Sequence, residues 1–305
     1  MQEKTREQTG SLGRTRRGHV VAPALLAALA VGADAQPPDE TAGFREWRAP
    51  APVENVAGGC PIEDRRGMTL FTAGGFDGTL DIFVYERDGR QAPFRPRIKI
   101  EDAVSREDAD DFCPTPVDGK WLFFVSDRPV EGACGGADIY LTRLGSDTAI
   151  NLGCAPHGPN TAGRELAPSL MLTDNRVYLY FSTNGPSGDQ DIFRSRLGWN
   201  GRFGAGQPVE ELNTLFNDQQ PNVARGGREI VFSSDRDGTQ DVFTALRTDS
   251  KQPWSAIRNL SMALDFPTVD GNETRASLSW DRVRLYYGSG GTIYQARRPV
   301  ALQND

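Results

Sequence analysis

The chain has 305 residues, with 34 Lys and Arg against 41 Asp and Glu, a net charge of −7. That balance repels nucleic acid and anionic membrane surfaces and argues against either as a partner. Only two histidines are present, which excludes a metal-dependent hydrolase or lyase built on several imidazoles.

The first 35 residues read as a removable export signal. Arg14, Arg16 and Arg17 form a basic start, 20–31 is an apolar run rich in Ala and Leu, and Ala33-Asp34-Ala35 sets cleavage before Gln36. A membrane anchor is the competing reading, but the run is short for a bilayer span. No later run is long enough to cross. Residues 36–43 read as a short linker. Cleavage leaves 29 Lys and Arg against 38 Asp and Glu. The expected product is periplasmic or secreted, monomeric, without a cofactor and without a membrane span.

From residue 44 onward the signals are all β. Apolar clusters of four to six residues alternate with Gly, Pro, Asn and Asp turns, and no sustained helical stripe occurs. The first segment is WRAPAPVENVA from Trp47. Five similar copies follow, from Cys60, Cys113, Ala167, Gln220 and Arg275. Each copy places a short strand after a proline (Pro61, Pro114, Pro168, Pro221; Ala276 in the last). A polar turn comes next, then an apolar strand such as VYLYFS or EIVFSS, a Gly-rich turn, and a third strand opening on D-[IV]-[FY]. That aspartate falls at Asp81, Asp138, Asp191 and Asp241, with Thr292 in the fifth copy, at spacings of 57, 53, 50 and 51 residues. Fourth strands follow in RIKIEDA, AINLG, PVEELN and AIRNL.

The fifth copy has no fourth strand after it, whereas WRAPAPVENVA stands before the first. Trp47 precedes Val53 by six residues, as Trp254 precedes Leu260 and Phe203 precedes Val209. The prediction is a five-bladed β-propeller over 44–305, with the N-terminal strand closing the last blade and removing an open edge. A β-solenoid is the alternative, but it needs no displaced strand.

The stretch SSDRDGTQDVF carries Asp235, Asp237 and Asp241 around Gly238. It can be read as a calcium loop or as a hairpin turn. Only Asp241 recurs in four copies, with partial echoes of Asp237 at Asp77 and of Asp235 at Asp127, which favours the turn.

The repeat P-x-x-S…L-Y-F-x-S…D-I-Y, here Pro168, Ser169, Tyr180, Phe181, Ser182, Asp191, Ile192 and Phe193 with their counterparts, resembles the WD-like propeller repeat of TolB-type proteins. It is especially similar to copies found near envelope proteins of the OmpA class. The resemblance implies an envelope or secreted binding scaffold with a protein, peptidoglycan or glycan partner.

A second carboxylate recurs three residues before each strand-opening position: Asp111, Glu165, Asp218 and Glu273, with Gly58 in the first copy. These residues are expected near one mouth of the central channel. They either cap turns and stitch blades, or form an incomplete acidic ring that attracts a cation or basic group. Strand alternation puts the irregular loops 101–112, 128–136, 153–167 and 262–275 on that same face. Binding residues concentrate on such loops, so His157 and Arg164 join the candidates.

All four cysteines fall on this face too. Cys60 and Cys113 share a slot in adjacent copies, and Cys134 and Cys154 flank one blade, so pairing Cys60–Cys113 and Cys134–Cys154 is expected. Zinc is the rival reading, but no CxxC occurs and only one histidine remains after cleavage. No G-x-S-x-G occurs, so a Ser-His-Asp hydrolase has no support. A glycan hydrolase using channel-face carboxylates stays open as the alternative to a binding scaffold.

Overall fold

A computed structural model describes residues 47–299 apart from 77, 102, 174–175, 186–187 and 267–272. The expected export signal and linker lie outside the described residues. The rest forms five four-stranded antiparallel sheets in a ring. Blade 1 holds β2 (Gly59–Glu63), β3 (Thr69–Phe76), β4 (Thr79–Glu86) and β5 (Ile98–Lys99). Blade 2 holds β6 (Asp111–Val117), β7 (Trp121–Ser126), β8 (Asp138–Arg143) and β9 (Ala149–Asn151). Blade 3 holds β10 (Glu165–Thr173), β11 (Arg176–Thr183), β12 (Asp191–Arg196) and β13 (Gln207–Pro208). Blade 4 holds β14 (Asp218–Val223), β15 (Glu229–Ser234), β16 (Asp241–Leu246) and β17 (Ser255–Asn259), and a short helix α1 (Leu260–Leu264) follows it.

Blade 5 is closed as the sequence predicts. Its β18 (Thr274–Leu278), β19 (Arg284–Ser289) and β20 (Thr292–Arg297) are completed by β1 (Ala51–Ala57), which pairs Ala51 with Gln295 and Pro52 with Tyr294. The fold is a five-bladed β-propeller.

The second strands read as continuous apolar runs because each blade packs against a neighbour on both faces. Every residue of β15 and β19 is buried. One core cluster passes through three blades, from Cys60 through Phe112, Phe123 and Ile139 to Leu179 and Phe181.

The prolines lie inside the first strands rather than ahead of them. The residue before each such position is left-handed: Cys60, Cys113, Ala167, Gln220 and Arg275 all have positive φ. Each first strand is bulged there, for instance between Phe112 and Thr115. A bulge breaks the ladder, so a residue without an N–H is tolerated at that point.

Cys60 pairs with Cys113 and Cys134 with Cys154, at Cα separations of 5.0 and 5.4 Å. The first links neighbouring blades and the second closes a loop across 20 residues. Replacing both Cys134 and Cys154 with serine should destabilise the propeller by about 3 kcal/mol on loop-closure grounds. A urea titration at neutral pH checks this.

Candidate functional site

The recurring carboxylates all sit at the starts of first strands and all are buried. Asp111, Glu165, Asp218 and Glu273 are each 0% exposed. Asp111 accepts the Arg106 amide at 2.8 Å and Arg128 Nη2 at 2.7 Å. Glu165 accepts the Thr161 amide at 3.1 Å and the hydroxyls of Thr161 and Thr183 at 2.6 and 2.7 Å. Asp218 accepts the Thr214 amide and hydroxyl at 2.6 and 2.7 Å, and Arg236 Nη2 pairs with its other oxygen. Among the described residues neither carboxylate oxygen of Glu273 has a hydrogen-bond partner.

Burial raises the pKa of three of them. It pushes Asp111 up in spite of Arg128. It pushes Glu165 up to about 7 against three hydrogen bonds that favour the charge. Burial and then the neighbouring Asp241 charge push Glu273 up to about 7.

Two sequence doublets carry this arrangement. N-T-x-x-x-[ED] occurs at Asn160–Glu165 and again at Asn213–Asp218. Its threonine caps the carboxylate, and its asparagine side chain accepts the amide of Ile139 or Ile192 at 2.9 or 2.8 Å, stitching each loop to the preceding blade. S-D-R occurs at Ser126-Asp127-Arg128 and Ser234-Asp235-Arg236. Arg128 also donates to the carbonyls of Ala103 and Val104 at 3.0 Å, and Arg236 donates to that of Leu212 at 2.6 Å. Both signals are visible in the sequence, and both say that the carboxylates shape loops.

The D-[IV]-[FY] aspartates do similar work within a blade. Asp138 accepts Asn151 Nδ2 and Asp241 accepts Asn259 Nδ2, each at 2.7 Å, and Lys99 lies 3.2 Å from Asp81. Each ties the third strand to the outer one. In SSDRDGTQDVF, Asp235 accepts the amide and side chain of Asn217 at 2.8 Å, and Asp237 accepts Asn259 Nδ2 at 2.9 Å. The stretch is the turn between β15 and β16. Among the described residues no three His, Cys, Asp or Glu side chains cluster as a metal ion would require.

Three of the four irregular loops meet at blade 2; residues 267–272 of the fourth are outside the described set. A groove of about 640 Å³ runs beside β9. Ala103 and Arg106 come from one loop, Glu131 and Gly132 from the hairpin, and His157 from the loop leaving the blade. The Cys134–Cys154 bond joins the last two walls. His157 is exposed and lines this groove. Arg164 is exposed elsewhere, with its guanidinium 4.8 Å over the Phe112 ring.

The channel itself is crossed near its middle. Arg275 of blade 5 is fully buried and donates to the Pro114 carbonyl at 2.9 Å, Thr115 Oγ1 at 2.7 Å and the Pro168 carbonyl at 3.1 Å. It bolts three blades across the axis. Burial alone pushes its guanidinium down to about 9, so it is still charged at neutral pH.

Ring, closure strand and crossed channel define a five-bladed propeller with one loop-rich mouth. No family model matches the chain, and no curated protein sequence does. Solved structures share the fold at low identity. A thermostable family-43 glycoside hydrolase aligns with a TM-score of 0.52 at 11% identity, covering 84% of this chain and 94% of that one. The endo-arabinase of Bacteroides thetaiotaomicron VPI-5482 aligns at 0.50 and 14%, covering 85% and 99%. TolB from Acinetobacter baumannii aligns at 0.48 and 13%, covering 79% of this chain, which spans about half (54%) of that protein's length. The described residues contain no helix long and apolar enough to cross a membrane.

Proposed function

We propose that the chain is an exported, non-catalytic propeller, periplasmic or secreted, that holds a protein, peptidoglycan or glycan partner of the cell envelope on its loop-rich face. The observation that carries this reading is the state of that face's carboxylates. Asp111, Glu165 and Asp218 are buried and bonded to their own loops, so they hold the face in shape. What the loops turn outward is the groove beside β9, where Arg106, His157, Arg202 and Asn151 stand among carboxylates and short apolar stretches. A concave site with convergent polar groups on a rigid scaffold suits binding. Its two carboxylates, Glu131 and Asp147, are exposed, whereas a general acid needs burial.

The expected result is that the joint change Arg106→Ala, His157→Ala lowers capture of the envelope partner by roughly tenfold, in the range of a central contact, with the unfolding midpoint unchanged. Sedimentation with purified peptidoglycan and crosslinking to envelope proteins measure it. Capture that ignores these changes would sink the groove assignment.

A second reading, a glycan hydrolase, draws on the neutral-range titration of Glu165 and Glu273, since a general acid is tuned upward by burial. Turnover on a glycan panel, lost in Glu165→Gln, would establish it and displace the binding reading.

A further inference from the structure

The opposite mouth of the channel, ringed by the turns between first and second strands, has a different chemistry. It opens as a cavity of about 100 Å³. Each blade gives it an apolar wall residue: Ile62, Val117, Leu170, Val223 and Leu278. The polar wall groups are already used between blades. Ser169 Oγ accepts the Val223 amide and Asn222 Oδ1 the Leu278 amide, both at 2.9 Å, and Thr115 Oγ1 bonds to the Pro168 carbonyl.

The rim is cationic in a chain that is acidic overall. The sixth residue of each copy stands there: Arg65, Asp118, Leu172, Arg225 and Trp280. Arg225 and Arg65 lie over the Trp280 ring at 4.5 and 4.8 Å from its centroid. Asp118 is 3.5 Å from Arg65, and among the described residues no carboxylate lies within ion-pair distance of Arg225. Glu63, the other acid in the wall, is taken up by Arg87 and Arg284 together. Deeper in, Arg275 adds a buried guanidinium that, among the described residues, has no carboxylate partner and an unbonded Nε. It is joined to the cavity through Thr115, which lines it.

We propose that this mouth binds the free C-terminal carboxylate of a peptide whose last residue is aliphatic. The carboxylate lies between Arg225 and Arg65 beside Trp280, and the side chain enters the apolar ring. A guanidinium fork matches a carboxylate in geometry and charge. The apolar ring takes the side chain, and the rest of the peptide stays outside. The site is on the face away from the β9 groove, so each can fail alone.

The test is calorimetry on the full-length protein with an N-acetylated tetrapeptide ending in leucine, its C-terminal amide, and octanoate. The free acid should bind at least about tenfold more tightly than the amide, as expected when a charge-assisted pair is lost. Arg225→Gln should abolish that preference, and raised salt should shrink it. Arg258→Gln, on the exposed outer strand β17, should leave it unchanged. Equal binding of acid and amide, no binding of either, or octanoate binding as tightly as the peptide acid would each overturn the assignment.

Discussion

Glu63→Ala is expected to lower the unfolding midpoint by roughly 10 °C. Glu63 ends β2 with its side chain only 1% exposed. Arg87 of its own blade pairs with one oxygen, on which the Tyr286 hydroxyl also converges at 3.0 Å. Arg284 donates to the other oxygen at 3.1 and 2.8 Å. Arg284 and Tyr286 belong to blade 5, so this carboxylate fastens the first blade to the last where the ring closes. Its loss leaves two nearly buried guanidiniums, 4% and 7% exposed: Arg87 loses its carboxylate, and Arg284 keeps only the more exposed Asp281 at 3.3 Å. Stranding a buried charge in this way costs about 3–5 kcal/mol, and each kcal/mol moves the midpoint by about 2–4 °C in a chain approaching this size.

The size of that loss is mostly the penalty of unpaired cations, which makes a second arm decisive. The triple change Glu63→Leu, Arg87→Met, Arg284→Met removes all three charges and keeps the volume, so it should recover most of the stability. Calorimetric melting of the three proteins at neutral pH measures both. A Glu63→Ala midpoint within 2 °C of the parent, a shift below about 1 kcal/mol, would show that the cluster does not hold the closure.

The fold was legible because it is written five times over. Middle strands such as EIVFSS and VYLYFS carry an unbroken apolar run at their centre since both their faces are covered there, and Trp47 marks the displaced closing strand by the same six-residue interval as Trp254. The Cys60–Cys113 pair followed from a shared slot in adjacent copies, and Cys134–Cys154 from two loops of one blade. The loop-rich face was legible in its place but not in its chemistry. A carboxylate that recurs at Asp111, Glu165 and Asp218 looks the same in sequence whether it points outward or folds back. What decides is the capping threonine four residues earlier, or the S-D-R arginine just past the end of the next strand.

The cationic mouth was hidden for a different reason. Its rim slot reads Arg65, Asp118, Leu172, Arg225 and Trp280, which has no pattern, and repeat alignment rewards what recurs. Side chains that differ at one slot of a repeat are brought to one place only when the ring closes. The scaffold is therefore carried by the recurring positions, and the selectivity proposed for the mouth by the varying ones.

The propeller should be more stable at pH 5 than at pH 8, and the buried carboxylates are the cause. Glu165 and Glu273 are each raised from 4.5 to about 7 in the folded chain. A carboxylate raised in this way binds its proton more tightly folded than unfolded. Below about 4.5 both states are protonated and the group imposes no penalty. As pH climbs toward 7 the unfolded state ionises freely while the folded state resists, and above 7 the full penalty stands. Each such shift amounts to about 3 kcal/mol, and Asp111 and Asp138, raised by burial as well, act in the same sense. Asp281 acts in the opposite sense: it is lowered in spite of burial because Ser279 and Arg284 favour its charge, so its contribution is lost in stronger acid. The joint change Glu165→Gln, Glu273→Gln should therefore flatten the profile between pH 5 and 8. It should raise stability at pH 8 by several kcal/mol and change little at pH 5, where the parent is already protonated. Urea midpoints at pH 5, 6.5 and 8 read both curves, and a parent whose stability rises steadily from 5 to 8 would contradict the assignment of these two glutamates as acids held neutral by burial.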